Sequence, residues 1–275
     1  MKLIADSGST KTDWVLTDGN AAIGRYHTQG LNPCHQSEND IFAILSSELL
    51  PQLGSHTPSI VQFYGSGVRP ELETFMARIL KEAFPSATAI EAHSDLLGAA
   101  RALCGSTEGI ACILGTGANS CLYDGRTIVQ NTPSLGYILG DEGSGAVLGN
   151  RFLNALYKGF IPKSVMTDFL NDIKMTQADV ITRVYRQPMA NRFLASLSPF
   201  IKSHIAVPEV CELVINNFRT FFRRNVAPYD RPDLPVNFVG SMAYHYTDQL
   251  TTAATAESFR VGKILKSPID GLTGC

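Results

Sequence analysis

The sequence predicts an α/β protein built from two related halves that face each other across a cleft. Each half opens with a strand, a loop of small residues and a second strand, and the two loops span residues 7–10 and 115–119. In the first half, segments with helical spacing then alternate with short apolar runs, an order that suits a mixed sheet covered by helices. We place the boundary after residue 106, which gives domains 1–106 and 107–275.

The composition is that of an ordinary globular protein. Of its 275 residues, 44% are hydrophobic and 17% are charged, with 23 Lys and Arg against 25 Asp and Glu. A net charge near zero gives no reason to expect nucleic acid or an anionic membrane as a partner. No apolar run approaches the ~20 residues that span a bilayer, and Asp6 interrupts the first apolar stretch too early for a signal peptide. We therefore expect a cytoplasmic protein, with a homodimer left open.

The six cysteines form no metal or disulfide pattern. They are Cys34, Cys104, Cys112, Cys121, Cys211 and Cys275. No two of them make a C-x-x-C pair, and none stands at zinc-finger spacing from a histidine. Reduced thiols, several of them buried, are the favoured interpretation.

The first half contains five predicted strands and three predicted helices. Its opening hairpin, residues 1–17, is followed by a strand near 22–27. Helical spacing then covers 40–50, 71–83 and 95–103, and strands are expected at 59–63 and 87–92. Ser94 is the predicted N-cap of the third helix.

The second half repeats the opening pattern and then becomes helical. Strands are predicted at 109–114, 120–123 and 127–130, and a helix begins near Ser144. From 151 to 225 the pattern is mostly helical with breaks at prolines. A strand at 236–239 leads directly into a further helix at Gly240, and a last short strand is expected near 259–261.

The loop after the first strand is suited to binding phosphate. Gly8, Ser9 and Thr10 carry little side-chain bulk, so backbone N–H groups could approach a phosphate closely. Asp6, at the end of the strand, stands where a carboxylate could hold a divalent cation. An ordinary β-hairpin turn would account for the same residues.

Taken together, the motifs resemble those of N-acetylglucosamine kinases and the wider group of BadF/BadG/BcrA/BcrD-type ATPases. The matching segments are Asp6-Ser-Gly-Ser-Thr10, Asn32, Asp95, Gly115-Thr-Gly117, Gly140-Asp-Glu-Gly-Ser144 and Gly240-Ser241. The resemblance covers nearly the whole chain. It implies two ribonuclease H-like domains of the sugar kinase, Hsp70 and actin superfamily around a central cleft.

The resemblance implies a nucleotide site formed by both halves. ATP phosphates would contact the first loop, through Gly8, Ser9 and Thr10, and the second loop, through Thr116 and Gly117. Adenosine would lie against the strand-to-helix junction at Gly240 and Ser241, and Asp6 would organise Mg²⁺.

Asp95 is the predicted catalytic base. A sugar hydroxyl that attacks ATP must be aligned and must lose a proton, and a carboxylate just after a strand could do both. A first-turn helix acid would look the same in the local sequence. Only the family pattern favours the catalytic role.

The remaining predicted residues concern the sugar. Asn32 can donate to one hydroxyl and accept from another, although an Asn before Pro33 also favours a turn. The resemblance implies sugar contacts from Asp95, from Asp141 and, largely through backbone, from Ser134, Leu135 and Gly136. Glu142 could accept from the sugar or brace its loop.

The predicted activity is ATP-dependent phosphorylation of an amino sugar, with N-acetylglucosamine and its 6-hydroxyl favoured. The alternative is an ATPase of the BadF/BadG type that activates a partner enzyme through an iron–sulfur cluster. The spacing of Cys104, Cys112 and Cys121 does not resemble such a cluster site, and Asn32 and Asp95 favour a sugar.

Overall fold

The chain folds into two compact units, seen in a computed structural model that describes residues 1–8, 10–19 and 21–273. The first unit contains Met1–Thr107, Asp124–Ile128 and the residues from Ser267 on, and the second contains Glu108–Tyr123 and Val129–Lys266. The first boundary lies one residue after the predicted one. Two segments that we assigned to the second domain belong instead to the first unit. They are 124–128 and 267–273, and in the latter Ile269 and Leu272 bury their side chains.

The first unit is organised on a five-stranded sheet in the order β3-β2-β1-β4-β5. The strands are β1 Lys2–Ser7, β2 Lys11–Asp18, β3 Ala21–Gln29, β4 Ile60–Gly65 and β5 Ala89–Ser94. β1 runs antiparallel to β2 and parallel to β4, which is parallel to β5. Successive side chains alternate between faces, so Leu3 and Ala5 face one side and Ile4 and Asp6 the other.

Helices cover both faces of this sheet. On the side of Leu3, an apolar core is enclosed by α1 Glu38–Ile44, a π-helical turn Leu45–Leu49, α2 Leu50–Leu53 and α3 Pro70–Ala83. On the other side lie α4 Asp95–Cys104 and the C-terminal helix Ile269–Leu272. α4 approaches so closely that a Cβ on Gly98 would lie 2.7 Å from the Tyr64 side chain.

The second unit repeats the strand order of the first. Its sheet has the order β10-β9-β6-β7-β8, with β6 Gly109–Leu114, β7 Ala118–Tyr123, β8 Ile128–Thr132, β9 Val236–Val239 and β10 Val261–Leu265. β6 is antiparallel to β7 and parallel to β9, as β1 is to β2 and β4. The structural repeat predicted from the two hairpins is therefore present, and it extends to all five strands.

The helices of the second unit form a larger apolar core than those of the first. They are α5 Gly136–Leu139, α6 Gly145–Tyr157, α7 Lys163–Asp172, α8 Gln177–Tyr185, α9 Ala190–Ser196, α10 Ser198–Ser203, α11 Pro208–Phe221, α12 Ser241–His245 and α13 Thr247–Ala256. A π-helical turn, Phe222–Val226, extends α11. The core is rich in aromatic rings, including Phe152, Phe169 and Phe200, which pack edge to face.

Within the described ranges, every helix is too short or too polar to cross a bilayer.

Candidate active site

Three parallel strands of the first unit end at one level, and the predicted acids lie there. Ser7, Gly65 and Ser94 are in register at the ends of β1, β4 and β5. Asp6 precedes the first of these residues and Asp95 follows the last. Ligands of α/β sheets bind at the carboxyl ends of such strands, so the fold places both acids where a site is expected.

Asp6 is a half-buried carboxylate with more negative than positive neighbours. Burial, and then the charges of Asp95 and Asp13, raise its pKa from 3.8 to about 7. Lys11 and a hydrogen bond from Ser267 act in the opposite direction. Lys11 itself is exposed and bonds Asp13 at 3.0 Å, so it does not neutralise Asp6 directly.

Asp95 is the first residue of α4, directly after β5. Ser94 caps the helix as predicted, because its hydroxyl accepts the N–H of Leu97 at 3.3 Å. Burial raises the pKa of Asp95, while the backbone N–H groups of Leu96 and Asp95 itself favour the ionised form. The residue is thus a first-turn helix acid, and it is also a half-buried carboxylate with a raised pKa, which suits a base.

In the loop after β1, which is predicted to bind phosphate, Gly8 and Thr10 are exposed. The Gly8 N–H donates to the Lys11 carbonyl at 3.0 Å, and the Thr10 carbonyl accepts from Gly30 at 3.1 Å. Gly8 has no close neighbour that would exclude a side chain. Its openness is consistent with close approach of a ligand. Ser9, also predicted to bind phosphate, lies outside the described residues.

Asn32 forms the turn that its position before Pro33 favours. Its Oδ1 accepts the N–H of Cys34 at 2.9 Å, which is an Asx turn. Its amide packs on Gly67, where a Cβ would clash with it and where φ is +84°. The side chain is therefore fixed by packing, and its Nδ2 bonds no other described residue.

The loop between β6 and β7, the second loop predicted to bind phosphate, rests on the N-terminus of α6. Gly145 and Ala146 donate to the carbonyls of Gly115 and Thr116 at 2.8 and 3.1 Å. The Thr116 side chain is exposed. The helix thus holds the backbone of the loop in place, and the exposed Thr116 hydroxyl is accessible from solvent.

Asp141 lies beside this loop. Its Oδ2 would be 3.0 Å from a Cβ on Gly117, and its carboxylate accepts the N–H of Ala118. Burial raises its pKa from 3.8 to about 6. Its φ of +52° is unusual for a residue with a side chain, and strain of this kind is common at functional sites.

The segment before Asp141 turns its backbone through a left-handed bend. Leu135 and Gly136 have φ of 60° and 74°, and the Asp141 N–H closes the bend onto the Ser134 carbonyl at 2.9 Å. The Leu135 side chain is 64% exposed. α5, which the sequence pattern did not predict, lies inside this bend.

Glu142 braces the loop. Its two oxygens accept from Arg224 at 3.0 Å and from Asn225 at 3.2 Å. Both partners belong to the π-helical turn. They lie more than 80 positions after Glu142, and the sequence pattern did not single them out.

Gly240 joins the strand end to α12 beside the second loop. Its φ is +119°, and a Cβ there would clash with the Leu114 carbonyl. The structure thus brings Gly240 next to the strand that carries Gly115. Ser241 is exposed, whereas Met242 is buried and contacts Gly145 together with Ala195 of α9.

No described group of three or more His, Cys, Asp or Glu side chains could by itself hold a metal ion. The five described cysteines are free thiols, and Cys112 and Cys121 are buried. The donor set at Asp6 and Asp95 nevertheless fits Mg²⁺, which usually binds one or two carboxylates and completes its shell with phosphate and water.

No family model matches the chain, and no curated protein matches it. Among solved structures, a proposed N-acetylglucosamine kinase from Porphyromonas gingivalis is 49% identical, with a TM-score of 0.97 over 99% of this chain and 97% of that one. A second proposed N-acetylglucosamine kinase, from Chromobacterium violaceum, is 18% identical, with a TM-score of 0.68 over 99% and 97%.

A glucokinase of the ROK family from Streptomyces griseus, solved with glucose and AMPPNP, is 12% identical, with a TM-score of 0.55 over 99% and 97%. At that identity the likeness concerns the fold. The predicted fold class and the predicted enzyme class, an ATP-dependent sugar kinase, are confirmed. With 49% identity over 99% of its length to the Porphyromonas protein, the chain belongs to the N-acetylglucosamine kinase family of the actin-like ATPase fold.

Proposed function

We propose that the protein transfers the γ-phosphoryl group of ATP to the 6-hydroxyl of N-acetylglucosamine. The observation that carries this proposal is Asp95. It is a half-buried carboxylate at the end of β5, with a pKa raised by burial. A base with a raised pKa takes a proton more readily near neutral pH.

In this reaction the sugar hydroxyl gives its proton to the Asp95 carboxylate. Its oxygen forms a bond to the γ-phosphorus, and the bond from that phosphorus to the bridging oxygen breaks, which leaves ADP. Because phosphoryl transfer needs little covalent help, alignment by Asp95 is as important as proton removal.

The phosphates of ATP are held by the two small-residue loops. The residues proposed to contact phosphate are Gly8, Ser9 and Thr10 in the first loop, and Thr116 and Gly117 in the second. The support for this is that Gly8, Thr10 and Thr116 are exposed while the carbonyls of Gly115 and Thr116 are tied to α6. Adenosine lies against Gly240 and Ser241.

The residues proposed for the sugar are Asn32 and Asp95 in the first unit, and Asp141 with the backbone of 134–136 in the second. Asn32 is fixed on Gly67, so its amide needs little ordering when a hydroxyl binds. Asp141 uses one hydrogen bond from Ala118 and keeps further lone pairs for hydroxyl donors.

Mg²⁺ is held at Asp6, directly or through water. The support is electrostatic, because Asp6 and Asp95 are like charges close enough to raise the pKa of Asp6. When bound, the ion supplies positive charge to the phosphates. With the charge supplied by the ion, the role of the Asp6 carboxylate is to hold Mg²⁺ in position.

The test is an ATP-consumption assay with a panel of hexoses and amino sugars, run in parallel on Asp95→Asn. We expect N-acetylglucosamine to be preferred, and we expect the variant to lose about 10²–10⁴-fold in kcat while it still binds sugar. Asp270→Asn, which removes an exposed acid paired with Arg25 at 3.4 Å, is the control and should retain turnover.

Undiminished turnover in Asp95→Asn would remove that residue from the base role. A wild-type enzyme that hydrolyses ATP without phosphorylating any sugar would support the partner-activating ATPase instead.

A further inference from the structure

The π-helical turn after α11 contacts both parts of the candidate site in the second unit: Glu142, which follows the segment 134–141, and the strand β7, which follows the loop 115–117. Its residue Asn225 is 4% exposed, and its side-chain amide donates to Glu142 at 3.2 Å. Arg224, from the same turn, donates to the other oxygen of Glu142 at 3.0 Å. The Glu142 side chain is only 12% exposed, whereas Arg224 is 68% exposed, so the bond from Asn225 is the better shielded of the two.

The backbone of Asn225 reaches the strands on the phosphate side. Its carbonyl accepts the hydroxyl of Ser120 in β7 at 3.1 Å and that of Thr132 at the end of β8 at 3.0 Å. The last carbonyls of a helix have no partner within the helix. Here two hydroxyls satisfy one of them.

Tyr229 reinforces the same junction. Its hydroxyl bonds the Ser120 hydroxyl at 2.7 Å and accepts the N–H of Thr132 at 3.1 Å. Ser120 is fully buried and Tyr229 is 4% exposed. The network is therefore closed, which makes it rigid and costly to leave partly unsatisfied.

Asp141, which has a strained backbone, lies next to this hydrogen-bond network. Asp141 precedes Glu142 and has a φ of +52°. Strained backbone persists only where the surroundings hold it. The Asp141 N–H donates to the Ser134 carbonyl, and the Asp141 carboxylate accepts the N–H of Ala118. The next residue, Glu142, is bound to the π-helical turn through its own side chain. π-Turns inside helices frequently occur at functional sites, and this one has a defined mechanical connection.

We propose that Glu142 and Asn225 are positioning residues of the kinase: Glu142 fixes the sugar-side segment 134–141, and Asn225 fixes that segment and the phosphate-side strand β7 together. This rests on the proposed function, since it assigns the two sides of the site to sugar and phosphate. Neither residue needs to touch a substrate.

The kinetic test compares Glu142→Gln, Asn225→Ala and Ser120→Ala with the control Arg223→Gln. In the first variant one hydrogen bond to a charged group is lost, and we expect the KM for sugar to rise about tenfold with the KM for ATP little changed. Asn225→Ala removes the other bond to Glu142 but keeps the carbonyl that bonds Ser120 and Thr132, so it too should raise mainly the KM for sugar. Ser120→Ala, which removes one donor to that carbonyl, should raise the KM for ATP. Arg223 lies in the same turn but pairs with Glu257 at 2.7 Å, so its replacement should change neither KM.

Hydrogen exchange provides a readout that does not depend on turnover. The amides of Gly140 and Asp141 donate to Gly136 and Ser134 at 2.8 and 2.9 Å. We expect them to exchange about tenfold faster in Glu142→Gln than in Arg223→Gln, because one charge-assisted bond is missing.

Unchanged exchange at Gly140 and Asp141, in a variant with the wild-type melting temperature, would overturn the proposal. Equal increases of both KM values in Glu142→Gln would overturn the separate role given to Glu142. If the wild-type protein phosphorylates no sugar, the proposed function fails, and exchange alone then decides whether the turn holds this segment.

Discussion

The negative charge of Asp95 adds to burial in raising the pKa of Asp6, although the two residues belong to strand ends separated by β4. Two acids in one partly dry site repel each other when both are ionised. Because the described neighbours do not neutralise this pair, a bound cation would relieve the repulsion. Two of the predictions below follow from it.

Asp6→Asn should make the protein more stable at pH 8 and insensitive to Mg²⁺. The folded pKa of Asp6, about 7, lies above the ordinary 3.8, so the stability that its protonated form contributes is present at low pH and is lost as pH rises towards 7. Because asparagine does not ionise, the variant does not lose stability in this way as the pH rises. A gain of 1 kcal/mol would raise its melting temperature by about 2–4 °C.

Thermal melts at pH 8 and pH 4, with and without Mg²⁺, measure this. The wild-type protein should gain stability from Mg²⁺, and the difference between the two proteins should shrink at pH 4. The control is Asp18→Asn, because Asp18 is exposed and lies at the end of β2 that is remote from Asp6. A full response of Asp6→Asn to Mg²⁺ would place the metal elsewhere.

The rate should fall on the acid side within about one pH unit of neutrality. Asp6 has a pKa of about 7 and Asp141 of about 6, both raised first by burial, and both proposed roles need the ionised carboxylate. A profile of kcat/KM for the sugar between pH 5 and 8 measures this, with melting temperature as the check that the protein stays folded.

Excess Mg²⁺ should move the acid limb of that profile to lower pH, since the cation favours ionised Asp6. A profile that stays flat down to pH 5 would mean that neither acid is needed in ionised form.

Gly240→Ala should destabilise the second unit and weaken nucleotide binding. The φ of +119° is unfavourable for alanine, and its Cβ would meet the Leu114 carbonyl. We expect a loss of about 1–3 kcal/mol in the free energy of unfolding and a higher KM for ATP. Denaturant melts and ATP kinetics measure both.

Gly115→Ala is the matched variant for stability, because its Cβ would have no neighbour within 4 Å and its φ is not positive. It should unfold at nearly the wild-type denaturant concentration. If Gly240→Ala did so too, the close approach to Leu114 would not be a constraint.

Sugar should protect Cys34 from alkylation. Cys34 is exposed, and its N–H is bonded to the Asn32 side chain at 2.9 Å. The Cys34 thiol and the Asn32 side chain both contact Gly67, so we expect a sugar on Asn32 to shield the thiol. Labelling rates by mass spectrometry, with and without N-acetylglucosamine, test this, and the half-exposed Cys211 in α11 serves as the internal reference. Equal protection of both thiols, or of neither at saturating sugar, would contradict the placement of sugar at Asn32.

The spacing of apolar residues along the sequence was sufficient to predict most of the helices and strands. The strand at 109–114 and the strand at 236–239 are observed with the predicted bounds, and Ser94 and Ser144 cap their helices as hydroxyls at such positions do. These features depend on neighbouring residues, so sequence patterns contain them. α5 was missed because Leu135 and Gly136 begin it in left-handed conformations that no apolar spacing indicates.

The site was predictable only in part, for the same physical reason. Asp95 and Asn32 stand beside a strand end and a proline, so their positions can be predicted from the local sequence. The bonds from Arg224 and Asn225 to Glu142 join residues more than 80 positions apart. Nothing in the local sequence specifies that pairing, because it depends on how α11 packs in the finished core.

The return of residues 267–273 to the first unit has a consequence for biosynthesis. Ile269 and Leu272 fill the face of the first sheet opposite α3, yet they leave the ribosome only after the entire second unit has been made. The unit that is translated first can therefore be completed only at the end, and until then its partly uncovered sheet is a site where chaperones could act on the nascent polypeptide.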